Sequence, residues 1–442
     1  MSSEWTCLQI RDLGRIVTGK TPATSRLDYF GGDIPFLTPT DMVDGMKTVV
    51  ASRTLTEAGL ATVKNCLIPK GISVSCIGWQ MGKSVLVSKP TVTNQQINTL
   101  VVDESRFDMS FAYYLLTSMR KQIFELGATP TRTPIVNKST FGQIPVRVPQ
   151  LNEQREIANF FTALDDSIAL LRETNATLEA IAQAVFKSWF VDFDPVRAKQ
   201  EGRMPEGMDE ATAALFPDGF DEASVVPLPR GWRLDNLGNW VTVLETGRRP
   251  KGGVGAIEEG IPSIGAESIT RIGQFDFSKT KYVTSEFFEK MKSGALESHD
   301  VLLYKDGGKP GVFLPRVSMF GDGFPFETCG INEHVFRIRL KPPFNQMFLY
   351  FWLWSDAIMH ELKHRGGKAA IPGINQGDVK EQHLLVPTED VLRKYDELSA
   401  PLVSLLFSNA KRIATLSSLR DMLLPRLISG RIRLPEAEAL VA

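Results

Sequence analysis

The chain has 442 residues, 43% of them hydrophobic, with 50 basic residues against 51 acidic. That length exceeds a typical domain of about 100–200 residues, and the composition is ordinary for a globular chain, so two or more domains are expected. The near-zero net charge provides no global field to draw in phosphates, which leaves any nucleic-acid surface to local clusters.

No apolar run reaches the ~18 residues a membrane span needs. The start, Met1-Ser2-Ser3-Glu4-Trp5, lacks the basic and apolar regions of a signal peptide. A cytoplasmic location without membrane contact is therefore expected. Cys7, Cys66, Cys76 and Cys329 are scattered and indicate neither a zinc ribbon nor a disulfide framework.

From the N-terminus, residues 18–26 combine glycine, hydroxyls and cations without an acid, a composition suited to close approach to phosphates. Residues 58–102 also lack acids while carrying Lys64, Lys70, Lys83 and Lys89. Within them Gly78-Trp79-Gln80-Met81-Gly82-Lys83-Ser84 approaches a phosphate-binding P-loop, but Ile77 stands where that motif requires glycine, so a turn is expected. Val85-Leu86-Val87 and Leu100-Val101-Val102 read as strands, and residues 111–124 as a helix. Then Ile157, Leu164, Leu171, Leu178 and Val185 recur every seven residues, with Phe161, Ile168, Asn175, Ala182 and Trp189 four residues on. This heptad predicts a coiled-coil helix over 152–190, the first set at d and the second at a. Residues 192–229, rich in proline, glycine and acid, read as a linker.

Beyond it, residues 246–251 resemble the opening loop in composition, and Val301-Leu302-Leu303 and Val335-Phe336-Arg337-Ile338 read as strands. Lys341-Pro342-Pro343-Phe344 looks like the PPF of adenine methyltransferases, but lysine offers no acceptor for the adenine amino group. Residues 347–362 predict a second helix. It runs into His360-Glu361-Leu362-Lys363-His364, which satisfies the H-E-x-x-H pattern of zinc metallopeptidases but lacks an evident third ligand other than a distant acid such as Glu381. A second heptad helix is expected over 389–424, with Val391, Leu398, Leu405 and Leu419 at d and Tyr395, Leu402, Asn409, Leu416 and Leu423 at a; Arg412 interrupts the d series beside Ile413. Each helix thus carries one central asparagine, a residue that specifies register at a cost in stability. A helix of ~38 residues spans ~57 Å, long enough to act as a ruler.

Sliding the chain against itself exposes an internal repeat. At an offset of 238, Asn94-Gln95-Gln96 falls on Asn332-Glu333-His334, Pro134-Ile135-Val136-Asn137 on Pro372-Gly373-Ile374-Asn375, and Val148-Pro149 on Val386-Pro387. Thr18-Gly19-Lys20-Thr21-Pro22 answers Thr246-Gly247-Arg248-Arg249-Pro250 at a shorter offset. The fold class expected is α/β: two similar mixed α/β domains separated by two long antiparallel coiled-coil helices, a pseudo-twofold internal repeat.

Four runs carry a resemblance. Phe186-Lys187-Ser188-Trp189-Phe190-Val191-Asp192-Phe193-Asp194-Pro195, Leu419-Arg420-Asp421-Met422-Leu423-Leu424-Pro425-Arg426-Leu427-Ile428-Ser429-Gly430, Val148-Pro149-Gln150-Leu151-Asn152-Glu153-Gln154 and Pro229-Arg230-Gly231-Trp232 resemble the specificity (S) subunits of type I restriction-modification enzymes. The resemblance implies target-recognition domains at 1–149 and 230–387, spacer helices at 150–190 and 388–430, a linker at 191–229 and a tail at 431–442. It implies that each domain reads one half of a split double-stranded DNA site, while the helices set the spacer and dock two methylation (M) subunits. Motor-nuclease (R) subunits would complete the complex. The chain would itself be non-catalytic and hold no cofactor, with S-adenosylmethionine, ATP and Mg in its partners.

The DNA-contact candidates are Lys20, Thr21, Arg26, Gln80, Lys83, Arg132 and Lys138 in the first copy, and Arg248, Arg249, Lys251, Lys305, Lys309, Lys363, Arg365 and Lys368 in the second. The helix-pairing candidates are Asn175, Asn409, Leu164, Leu171, Leu178, Leu398, Leu405 and Leu416. Two readings from other classes stay open at this point: a two-domain coiled-coil scaffold for proteins, and a zinc metallopeptidase acting through the H-E-x-x-H run.

Overall fold

The apolar runs punctuated by glycine and proline become strands, and the heptad stretches become long helices. A computed structural model describes residues 5–128, 133–221, 227–367 and 372–441. They group into two units, Met1–Ala169 with Thr415–Ala442, and Leu170–Ala414.

In the first unit, strands β1 (Gly14–Thr18), β2 (Gly71–Ser75), β3 (Ser84–Val87) and β4 (Ile97–Val102) form a sheet of order β1-β4-β2-β3, every neighbour antiparallel. A second sheet is built on Phe30–Leu37, which pairs antiparallel with Arg53–Leu55 and parallel with Thr91–Thr93. Thr6–Gln9 closes the domain against Pro145–Val148. Helix α1 (Met109–Ser118) is capped by Asp108, whose carboxylate accepts the Phe111 N–H, and it buries Phe111 to Leu116 continuously. A helix apolar all round must lie inside, so it turns at Met119 and a separate segment, Arg120–Gly127, continues with Ile123 buried and polar residues outward. The single helix expected over 111–124 is therefore two.

Helix α2 (Leu151–Phe190) begins where Gln154, buried, accepts the Asp108 N–H and donates to the Pro149 carbonyl. Residues expected as linker fold instead. Helices α3 (Asp194–Gln200) and α4 (Glu210–Ala214) bury Val196, Ala198 and Ala213, and Phe216 sits edge-on to Trp189. Phe193 takes the left-handed conformation (φ 57°), reversing the chain so that its ring packs on Phe220 and Trp232. Proline, glycine and acid here make caps and turns around a few large aromatics.

The second unit repeats the first unit's connectivity. Strands β5 (Val241–Thr246), β6 (Val301–Tyr304), β7 (Val317–Met319) and β8 (Val335–Leu340) lie in the order β5-β8-β6-β7. Ile261–Ile264 pairs antiparallel with Lys281–Val283 and parallel with Gly330–Ile331, and Arg233–Asn236 closes on His383–Val386. Helix α5 (Gln346–Leu353) is buried along its whole length and capped by Asn345, and the chain turns at Ser355 before α6 (Asp356–Gly366). The helix expected over 347–362 is broken for the same reason as its counterpart.

Helix α7 (Glu389–Ile428) runs antiparallel to α2. In the first unit Ile157, Phe161 and Leu164 share a core with Leu423, Leu424 and Leu427. In the second, Asn175 meets Asn409, while Phe186 and Trp189 meet Tyr395. Along α2 Leu164 is buried and Leu171 and Leu178 are half-buried. In α7 the expected heptad phase is corrected. Leu398 and Leu405, assigned to pairing, are 42% and 48% exposed, while Ser399, Leu406 and Leu427 are buried. The inward seam is Tyr395, Ser399, Leu402, Leu406, Asn409, Ile413, Leu416, Arg420, Leu423 and Leu427, all buried or half-buried. The series taken as a, including Leu416, is thus d, and the interruption at Arg412 disappears because Ile413 is the seam residue. Leucine at 398 and 405 imitated a seam position in sequence, but only the partner helix decides which apolar series faces inward.

Candidate nucleic-acid interface

Three loops meet at the same place in each unit, held by the same backbone hydrogen bonds. In the first, Cys76 N–H donates to Gln96 O (2.8 Å), Gly78 N–H to Pro134 O (2.9 Å) and Val136 N–H to Cys76 O (2.8 Å). In the second, Lys305 N–H donates to His334 O (2.9 Å), Gly307 N–H to Pro372 O (2.9 Å) and Ile374 N–H to Lys305 O (2.8 Å). The β2–β3 turn and its β6–β7 counterpart are thereby tied to the segment after the second short helix. This arrangement explains why the proline and asparagine of Pro134-Ile135-Val136-Asn137 recur in Pro372-Gly373-Ile374-Asn375: the asparagines cap the next helix, their side chains accepting from Thr140 N–H and Asp378 N–H.

The opening loop docks on the same cluster. A Cβ on Gly19 would stand 2.2 Å from Thr93 O, and one on Gly247 1.5 Å from Ile331 O, so only glycine fits at either place. The facing turn is fixed by asparagine in both copies, Asn94 Oδ1 accepting the Gln96 N–H and Asn332 Oδ1 the His334 N–H. On these matched frames the projecting side chains differ. Lys20 is exposed, and Thr21 Oγ1 donates to Gln95 Oε1 at 2.6 Å. Arg248 is exposed, and Arg249 Nε lies 3.2 Å from Glu333 Oε1. Lys309 and Lys251 are exposed at turns, and Lys305 pairs with Asp306 at 3.0 Å. Burial opposes ionisation of Asp306, yet hydrogen bonds from His334 and Lys305 hold its carboxyl below the ordinary value.

Several candidate cations turn out to be occupied. Arg26 makes a bidentate pair with Asp28, two residues beyond the stretch read as acid-free, and the hydrogen bond holds the Asp28 carboxyl below its usual range. Lys83 points inward, donating to Met42 O (3.2 Å) and pairing with Asp44 (3.0 Å). Arg365 is gripped by Glu361 and Glu381, each at 2.8 Å. Asp44 and Glu381 come from distant segments, whereas Asp28 and Glu361 are local partners that a reading for runs of cations passed over. Gln80 is half-buried, its Oε1 unpartnered among the described residues. Lys138 and Lys363 are exposed. Arg132 and Lys368 lie outside the described residues.

The H-E-x-x-H run lies on α6 with His360 and His364 exposed, and Glu361 and Glu381 are both engaged with Arg365. Among the described residues no group of three His, Cys, Asp or Glu is placed to hold a metal. The glycine-rich run at 78–84 is the β2–β3 turn, with Trp79 82% exposed and its ring 6.1 Å from that of Phe124. The choice of candidates by charge passed over Trp79, Gln95, Glu333 and His334. The signal for the last three lay in the repeat, as differing residues beside a shared asparagine.

Two exposed loop clusters thus stand on matched frames and bear different side chains. Residues 2–180 match the model of a family described as the type I restriction modification DNA specificity domain. Over 441 residues, 98% of this chain and 94% of the other, the sequence is 24% identical to the type I restriction enzyme MjaIX specificity subunit of Methanocaldococcus jannaschii. It is 33% identical to the HindI specificity subunit of Haemophilus influenzae over 178 residues, 38% of each chain. The fold is similar to a crystal structure of a type I restriction-modification S subunit from M. genitalium, with a TM-score of 0.53 and 17% identity over 96% of both chains. Residues 2–180 thus match that DNA specificity domain, and nearly the whole chain is similar to a specificity subunit of a type I restriction enzyme.

Proposed function

We propose that this chain is the non-catalytic, DNA-reading subunit of a type I complex, built as two copies of one target-recognition fold, residues 1–149 and 230–387. Each copy reads one half of a split duplex site, and the antiparallel coiled-coil pair formed by α2 and α7 sets the spacer. The observation that carries this reading is the matched loop cluster. Identical backbone bonds hold it in both copies while its projecting residues differ, as expected of a frame that is kept while the sequence read is changed. Phosphate contacts position such a frame and side chains at base edges specify; Lys20, Arg248, Lys251, Lys309 and Lys363 suit the first role.

The exposed leucines of the long helices, Leu170, Leu398 and Leu405, offer apolar contact to protein partners. Two methylation subunits are their proposed occupants, with motor-nuclease subunits completing the assembly. S-adenosylmethionine, ATP and Mg belong to those partners, and the complex works in the cytoplasm. No helix among the described residues is long and apolar enough to cross a membrane. The test is mapping of methylated adenines in cells expressing the chain with its methylation subunits. A two-part motif with a fixed gap is the expected result; methylation independent of sequence, or unchanged when this chain is deleted, would overturn the reading.

A further inference from the structure

The two copies differ most informatively at a pair of facing positions. Residue 21 with residue 95, and residue 249 with residue 333, stand at equivalent places: the second residue after the tightly docked Gly19 or Gly247, and the residue after the turn-forming Asn94 or Asn332. Both pairs are in contact, Thr21 Oγ1 donating to Gln95 Oε1 at 2.6 Å and Arg249 Nε meeting Glu333 Oε1 at 3.2 Å. One copy holds a neutral hydroxyl–amide pair and the other an ion pair, so the partners differ together. We infer that these pairs are base-reading elements, Gln95 positioned by Thr21 for adenine in the first half-site and Arg249 positioned by Glu333 for guanine in the second.

The inference rests on the DNA-reading function proposed above and adds which base chemistry each copy takes. A glutamine reads adenine through its amide oxygen and nitrogen together, accepting from N6 and donating to N7. Thr21 occupies one lone pair of Oε1, which fixes the amide's orientation; among the described residues no hydrogen bond takes the second lone pair or either N–H. An arginine reads guanine with its terminal fork on O6 and N7. Glu333 holds Nε, the nitrogen the fork does not use, leaving both terminal nitrogens available in a set plane. Glu333 also offsets the charge of Arg249, which weakens it as a phosphate anchor while leaving its geometry intact; the neighbouring Arg248 has no such partner among the described ion pairs. Glu333 and Thr21 are therefore positioning residues.

The experiment uses the complete methyltransferase with randomised duplexes, recording the motif selected, affinity and its salt dependence for the parent, Arg249→Ala, Glu333→Gln and Gln95→Ala. In Arg249→Ala a roughly 10- to 100-fold preference for guanine at one position of one half-site should disappear, with the other half-site and the salt slope unchanged. Glu333→Gln should weaken that same preference only. Gln95→Ala should relax an adenine in the opposite half-site. Each variant's untouched half-site reports that the complex is folded and assembled. Unchanged motifs in Arg249→Ala and Gln95→Ala would overturn the inference while leaving the DNA-reading function standing, as would uniform loss of affinity with a lower salt slope. A parent complex that selects no sequence would instead remove the function on which it rests.

Discussion

At the scale of single residues, burial decides which polar groups do mechanical work. Gly247 leaves no room for a side chain, since a Cβ would sit 1.5 Å from a carbonyl oxygen that cannot swing aside. Gly247→Ala should displace Arg248 and Arg249 together, erasing the preference at one half-site and keeping the other; motif selection by the assembled complex reads this directly. Glu179 presents a different balance. It is 7% exposed, accepts from Tyr350 Oη at 3.0 Å and has Arg271 Nε 3.8 Å away. Burial nonetheless pushes its carboxyl above the ordinary value, so the folded chain holds this proton more tightly than the unfolded chain does. The resulting stability is complete below the unfolded value of 4.5 and is lost as pH rises through the raised one. Glu179→Gln keeps an acceptor for Tyr350 without the charge. It should be as stable as the parent or more so near neutral pH, with the difference vanishing as pH falls through the carboxyl range in denaturant titrations. A variant less stable at neutral pH would show that Arg271 more than offsets the burial.

At the scale of elements, the helix pair is specified by a polar contact. Asn409 Nδ2 donates to Asn175 Oδ1 at 3.0 Å, and Asn175 Nδ2 donates to Leu406 O at 3.1 Å, with the two residues 4% and 8% exposed. Removing one partner strands the other, so Asn175→Leu or Asn409→Leu alone should cost about 1–3 kcal/mol. The double replacement should be near neutral or stabilising while the helices lose their single register, visible as a broader set of helix-to-helix distances in spin-label measurements. Equal, additive costs would mean that the asparagines act independently. Much of this element was legible beforehand because a seven-residue period records one buried stripe over ten turns. The phase of α7 was not, since leucines lie on both sides of its seam and only Ile413, Ser399 and Leu406 betray the true one. Residues 192–229 misled for the opposite reason: Val196, Phe216 and Trp232 bury a small core that average composition hides. In the candidate interface the repeat located the loops, whereas the bracing of Lys83 by Asp44 and of Arg365 by Glu381 depends on contacts that no local pattern records.

At the scale of the whole molecule, the matched strand orders lead to the expectation that each proposed recognition fold is a separable module. Its ends are paired with each other, Thr6–Gln9 with Pro145–Val148 in the first unit and Arg233–Asn236 with His383–Val386 in the second. A closing ribbon of this kind lets the body of a domain change while its points of attachment to the long helices stay fixed. Each unit also has its own buried core, Ile10 to Val148 with residues of both long helices in one, and Leu237 to Val386 with residues of both long helices and of the segment between 196 and 232 in the other. Exchanging residues 237–382 for the corresponding segment of another specificity subunit should therefore replace one half of the methylated motif, leaving the other half and the gap unchanged. Methylation mapping of the exchanged chain with its methylation subunits checks this. A new half-motif with an altered gap would mean that the recognition fold, and not the helix pair alone, sets the spacing, and loss of both halves would show that the two copies read DNA only as one surface.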